Sequence, residues 1–150
     1  MFVVDTNVLL HAVNPDSPDH DRAKAAIETW RRGERSGFLT WGIVYEFLRV
    51  STHRAVFPKP LKLTTARSWI AMLLAGSTCG LLVETERHAE VLAELAGRHA
   101  RVAGNLVHDL HTATLMREHG VSEIWTADMD FHQFPFLRVV DPLMATPESR

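Results

Sequence analysis

The stretch MFVVDTNVLLHAV (Met1–Val13) runs from apolar residues into Asp5, Thr6 and Asn7 and then back into apolar residues. Phe2, Val3 and Val4 form a short, β-branched-rich apolar run, the pattern of a strand buried on both faces. Asp5, Thr6 and Asn7 are favoured at N-caps and turns, so their plainest reading is a strand end followed by a capped helix. They also suit a site, because open parallel sheets bind ligands beyond the carboxyl ends of their strands. The rest of the chain decides between a cap and a site, or combines them.

Working outward, four further runs read as buried strands: FLTW (Phe38–Trp41), LLVE (Leu81–Glu84), EIWT (Glu123–Thr126) and RVVD (Arg138–Asp141). Between them lie segments with helical spacing. They are Asp19–Arg35, with Ala23, Ala26, Ile27 and Trp30 on one side, then Gly42–Ser51, Thr64–Ala75, His88–His99 and Asn105–His119. Glu118-His119-Gly120 reads as a helix stop with glycine in the left-handed position. FPKP (Phe57–Pro60) reads as a stiff loop between two helices. Strands alternating with helices predict an α/β fold, three layers with a roughly five-stranded parallel sheet, since parallel neighbours need long crossovers.

The 150 residues suit one domain, 1–150, with a flexible tail expected over about 143–150. A content of 46% hydrophobic and 23% charged residues is that of a globular protein. The single cysteine, Cys79, excludes an internal disulfide and a multi-cysteine zinc site. No secretory leader pattern and no apolar run of membrane-spanning length occurs, so a cytoplasmic protein without membrane contact is expected. The net charge of -2 gives no global signal for nucleic acid. Its distribution is uneven. No acid lies between Phe47 and Val83, where Arg49, Arg54, Lys59, Lys62 and Arg67 fall together with His53. With Trp41, Tyr45, Phe57 and Trp69 in or near it, this segment reads either as a helix pair with a solvated cationic rim or as a surface for RNA or an acidic partner.

The acids are placed differently. On a helical wheel of about 100° per residue, Glu46 falls within about 60° of Ile43 and Val50, and Asp109 within about 60° of Leu106, Ala113 and Met116. Both sit on apolar faces, where an unpaired carboxylate takes up a proton unless a cation or donor set meets it. Asp5 follows the first expected strand and Asp128 the fourth, so topology alone sends both to one sheet edge. Four acids converging there repel one another, and a divalent cation turns the repulsion into binding energy. With oxygen donors and no His/Cys cluster at zinc spacing, that cation is Mg²⁺ or Mn²⁺.

Four segments carry these acids: VVDTNVLLHAV (Val3–Val13), WGIVYEFLRV (Trp41–Val50), NLVHDLHTATLMREHG (Asn105–Gly120) and IWTADMDF (Ile124–Phe131). Together they resemble the PIN-domain ribonucleases and, more narrowly, the VapC-type toxins of type II toxin-antitoxin pairs. The resemblance covers nearly the whole chain in order and length. It implies an Mg²⁺- or Mn²⁺-dependent endoribonuclease with Asp5 and Asp109 as principal metal ligands and Glu46 and Asp128 completing the quartet. Asp130 is a further candidate acid, and Thr6, Asn7 and Thr126 become donors that hold the carboxylates in place. Arg49, Arg54, Lys59 and Lys62 become candidate contacts to RNA or to a partner. The resemblance also implies a cognate antitoxin, a homodimer and an RNA substrate such as tRNA or rRNA. His108, His111 and His132 depart from the common pattern.

Plainer readings stand beside these. Asp109 also suits the start of a helix, where the macrodipole favours an acid by about 0.3 to 1 kcal/mol. Asp128 and Asp130 also suit a turn. Aspartyl-phosphate transfer through Asp128 fits poorly, since its DxD comes late in the chain and no lysine follows Lys62. A PIN-fold RNA-processing nuclease outside a toxin-antitoxin pair and a non-catalytic metal-binding module remain as alternatives.

Overall fold

A computed structural model describes residues 1–99 and 102–144. Five strands, β1 (Phe2–Val4), β2 (Gly37–Thr40), β3 (Cys79–Leu82), β4 (Glu123–Trp125) and β5 (Arg138–Val140), form one sheet in the order β3-β2-β1-β4-β5. Every pairing is parallel, with Val3 opposite Phe38 on one side and opposite Ile124 on the other. Helices α1 (Thr6–Val13), α2 (His20–Arg32), α3 (Trp41–Ser51), α4 (Leu63–Leu74), α5 (His88–Arg98) and α6 (Leu106–Glu118) supply the crossovers. The expected α/β architecture with a five-stranded parallel sheet is therefore the observed one.

The chain builds outward from β1 through β2 to β3, then returns to the far side of β1 for β4 and β5. Strand direction of growth thus reverses between β1 and β4, the kind of switch point at which α/β sheets leave a crevice. Asp5 stands at this point, its amide donating to the Trp125 carbonyl at 3.0 Å.

Phe2, Val3 and Val4 are fully buried, as a central parallel strand requires. Phe2 stacks on Trp125 with centroids 4.1 Å apart and meets Trp30 edge-on at 5.8 Å. Trp30 reaches across to donate from Nε1 to the Thr78 carbonyl at 3.1 Å. Strand β2 starts at Gly37, where the Trp30 indole fills the space that a Cβ would take.

The bounds differ from the reading of the sequence by a residue or two at most ends, and α2 stops at Arg32 rather than Arg35. Gly120 does take the left-handed conformation, at φ 67°. A 3-10 turn at Met129–Gln133 links β4 to β5, which periodicity did not suggest. Leu143, placed by the sequence reading at the start of a flexible tail, is buried against the core, with its amide bonded to Asp141 Oδ1 at 2.8 Å. Residues 145–150 of the expected tail lie outside the described residues.

Candidate metal centre

The cleft begins at Asp5. Its backbone is extended, and its Oδ1 accepts from the Thr6 amide at 2.7 Å, so Asp5 is the N-cap of α1. Its Oδ2 faces the other way and accepts from Asn7 Nδ2 and from the Thr126 hydroxyl, both at 2.7 Å. Capping and site formation are therefore one arrangement, with one carboxylate oxygen serving each.

Thr126 directly follows β4 and is fully buried. While its hydroxyl donates to Asp5, its oxygen accepts from Asn7 Nδ2 at 2.8 Å and from the Asp128 amide at 2.9 Å. Asn7 Oδ1 accepts from the Ala127 amide at 3.2 Å. Asp5, Asn7 and Thr126 thus fasten the end of β1 to the end of β4 and set where Asp128 begins. Asp128 caps the 3-10 turn by accepting from the Asp130 amide at 2.8 Å, which is the turn-forming role its sequence suggested.

Glu46 is half-buried on α3 and accepts from the Thr6 hydroxyl at 3.0 Å. Its other oxygen lies 3.7 Å from Arg49 on the exposed side of the same helix. Asp109 lies in the first turn of α6, which is otherwise buried from Leu110 to Met116 apart from His111. Asp109 is half-buried where the exposed first turn of α6 gives way to its buried length, so it is a first-turn acid that also borders the core.

Asp109, Asp128 and Asp130 each offer an oxygen within 4.8 Å of the others. Asp5 and Glu46 line the same cleft of about 820 Å³ but stand outside that trio. Burial pushes the Asp5 carboxyl up to about 6, against the pull of the Thr126 and Thr6 hydrogen bonds, and the charges of Glu46 and Asp128 add to the rise. Burial likewise pushes Asp109 up to about 7, reinforced by Asp5, Asp128, Asp130 and Glu46. The donor set is all carboxylate oxygen with excess negative charge, which fits a hard divalent cation and not a soft one.

Of the other expected residues, Arg49 lines the cleft. Arg54, Lys59 and Lys62 are exposed and lie outside its lining, and they form no ion pair among the described residues. His108 faces the cleft, whereas His111 turns to Glu84 at 3.1 Å and His132 is exposed outside the lining. Asn105, Leu10, Gly42 and Tyr45 also line the cleft, and nothing in the sequence had singled out the first three. Their signal is position alone, four or five residues along a helix from one of the acids.

Residues 2–137 match the PIN domain family. Ribonuclease VapC48 of Mycobacterium tuberculosis is 34% identical over 138 residues, covering 92% of this chain and 94% of that protein. Ribonuclease VapC37 of the same organism is 36% identical over 143 residues, covering 95% and 97%. Among solved structures, VapBC2 from Rickettsia felis, bound to a DNA fragment from its promoter, superposes with a TM-score of 0.66 at 17% identity over 93% of this chain and 96% of the other.

Proposed function

The chain belongs to the PIN-domain family and, within it, to the ribonucleases named VapC, and from that premise we propose a metal-dependent endoribonuclease that acts as the toxin of a toxin-antitoxin pair. The observation that carries the metal dependence is the meeting of Asp109, Asp128 and Asp130 within 4.8 Å, in a cleft where Asp5 and Asp109 are both driven toward protonation. Carboxylates arranged so are unstable as a set of bare anions, and they are eased by a bound cation.

In this reading Asp109, Asp128, Asp130 and Asp5 hold Mg²⁺ or Mn²⁺, with Glu46 directly or through water. The cation, when bound, neutralises phosphate charge and acidifies water at the scissile bond. The chain's own part is positioning. Thr6 N, Asn7 and Thr126 fix the Asp5 carboxylate in one rotamer, and the Thr6 hydroxyl holds Glu46 where it can orient the attacking water and take its proton. Arg49, at the cleft wall and only loosely paired, is placed to meet a phosphate oxygen. Water adds to phosphorus and the 3'-oxygen leaves, giving a 3'-hydroxyl and a 5'-phosphate.

The partner in this reading is an antitoxin that covers the acidic cleft and places an Arg or Lys there, and the working unit is a homodimer. The likeness to VapBC complexes supports an antitoxin. Among the described residues no helix is long and apolar enough to cross a membrane.

The direct test is cleavage of tRNA and rRNA by the purified chain with Mg²⁺ or Mn²⁺. Wild type cuts, Asp5→Asn and Asp109→Asn do not, and chelation abolishes cutting. Cleavage by Asp109→Asn at the wild-type rate defeats the reading. The toxin assignment is tested separately by inducing the chain alone and with its neighbouring reading frame, where growth arrest relieved by the neighbour is expected.

A further inference from the structure

Beyond the carboxylates the cleft continues onto one face of α3. Trp41 and Tyr45, 48% and 68% exposed, stand one helical turn apart on α3, Tyr45 in the cleft lining and Trp41 just outside it, with ring centroids 6.3 Å apart and planes tilted by 47°. Tyr45 lines the cleft beside Glu46, and Gly42 and Arg49 continue the same wall. The other aromatic rings of this segment are spent on packing. Phe47 is buried and stacks on Trp69 at 5.2 Å, and Phe57 is buried. Among the large apolar side chains exposed in the described residues, Trp41 and Tyr45 are the two aromatic ones; the rest are Met, Val and Leu.

Among the described residues the most exposed aromatic rings thus stand together, and Tyr45 adjoins the acids. Two rings at i and i+4 leave part of their apolar faces in water, and among the described residues each has the other as its aromatic neighbour. The neighbouring wall, however, is acidic and polar, so an apolar protein surface laid on Tyr45 would also bury carboxylates at high cost. A nucleotide has no such conflict. Its base presents a flat apolar face for a ring, and its phosphate presents an anion for Arg49, whose side chain is 67% exposed and whose guanidinium lies 3.7 Å from Glu46.

Resting on the ribonuclease reading above, we propose that Trp41 and Tyr45 form a stacking platform for a nucleobase of single-stranded RNA flanking the scissile phosphate, with Arg49 on the adjoining phosphate. The two rings are positioning residues. They set which phosphate of an unpaired strand lies over the carboxylates, and they favour loops and ends over duplex, whose bases are not free to stack.

The test uses short single-stranded oligoribonucleotides carrying 2-aminopurine at successive positions, with binding measured in Ca²⁺ and cleavage in Mg²⁺ or Mn²⁺. In wild type one position is quenched on binding. Trp41→Ala and Tyr45→Ala lose that quenching, weaken binding and raise KM by about tenfold or more while kcat changes less. Tyr45→Phe keeps the ring and recovers most of the affinity, and Leu92→Ala, exposed on α5, matches wild type. An abasic nucleotide at the quenched position costs wild type what Tyr45→Ala costs, and costs Tyr45→Ala nothing more.

Cutting by wild type with undiminished RNA affinity in both alanine variants overturns the platform and leaves the ribonuclease standing. Quenching by a wild type that cuts no RNA keeps the platform and defeats the ribonuclease. Alanine variants that bind RNA normally but no longer self-associate, by light scattering, assign this face to a second copy and overturn the platform.

Discussion

The Thr126 hydroxyl donates to Asp5 Oδ2 at 2.7 Å, across 121 positions of sequence. It is fully buried and accepts two further hydrogen bonds, from Asn7 and from the Asp128 amide. Three parts of the site therefore depend on one oxygen.

Thr126→Val keeps the shape and removes that oxygen. Asp5 loses a bond that lowers its pKa, so its carboxyl rises above about 6, and the Asp128 amide loses its acceptor. Mn²⁺ affinity by calorimetry is expected to fall about tenfold to a hundredfold, and Thr126→Ser is expected to recover it. Binding by the valine variant as tight as wild type would show that Thr126 does not hold the site.

The raised acids also set a pH dependence for the metal-free protein. Asp5 at about 6 and Asp109 at about 7 both exceed their ordinary value of 3.8, so the folded chain binds more protons than the unfolded chain between those limits. Stability without metal therefore falls as pH rises from about 4 to about 7. The expected Tm in chelator is higher at pH 5.5 than at pH 7.5, and saturating Mg²⁺ reverses the order. Asp5→Asn with Asp109→Asn is expected to flatten the chelator profile. An unchanged slope in that double variant would assign the effect to other groups.

What the sequence made legible follows from chemistry that is local. Phe2–Val4 could be placed because a central parallel strand is apolar throughout, and Glu46 and Asp109 stood out because an acid on an apolar helix face has few explanations. Topology did the rest, since Asp5 and Asp128 follow strands that prove adjacent across the switch point. What stayed hidden depends on distant pairing. Trp69 and Tyr45 look alike in sequence, yet one stacks on Phe47 and the other faces the cleft, and no periodicity distinguishes them. Leu143 is buried against the core only a few residues after the last strand, and no periodicity in so short a segment marks a buried position.

The opposite edge of the sheet carries a test of stability apart from activity. Glu123 begins β4 with its side chain 7% exposed, accepting from Arg35 at 2.8 Å, from Arg138, and from Trp125 Nε1 at 2.9 Å. Burial pushes its carboxyl up, but these bonds outweigh it and hold the pKa below the ordinary 4.5. Glu123→Ala is expected to cost about 1 to 3 kcal/mol, at about 2 to 4 °C of Tm per kcal/mol, with RNA cleavage retained at permissive temperature. Because the folded pKa is lowered, the contribution is present above about pH 4.5 and lost as pH falls through the folded value. The gap between wild type and variant should therefore narrow in acid, and a gap that widens there would refute this account.

Gly37 tests how tightly the same end is packed. A Cβ at this position would lie inside contact distance of Trp30 Cε2 and Nε1, indole atoms of a residue that is only 3% exposed. Neither party can yield cheaply. The Gly37 amide is tied to the Thr78 carbonyl at 2.8 Å, and the Trp30 indole is bonded to that same carbonyl at 3.1 Å while packed edge-on against Phe2. Gly37→Ala is therefore expected to destabilise by about 1 to 3 kcal/mol through overpacking, in denaturant unfolding. Trp30→Leu, which opens the space, costs stability alone but should make Gly37→Ala far less damaging in the double variant, because the two effects share one clash. Strict additivity would mean that Gly37 is required for its backbone and not for the room it leaves to Trp30.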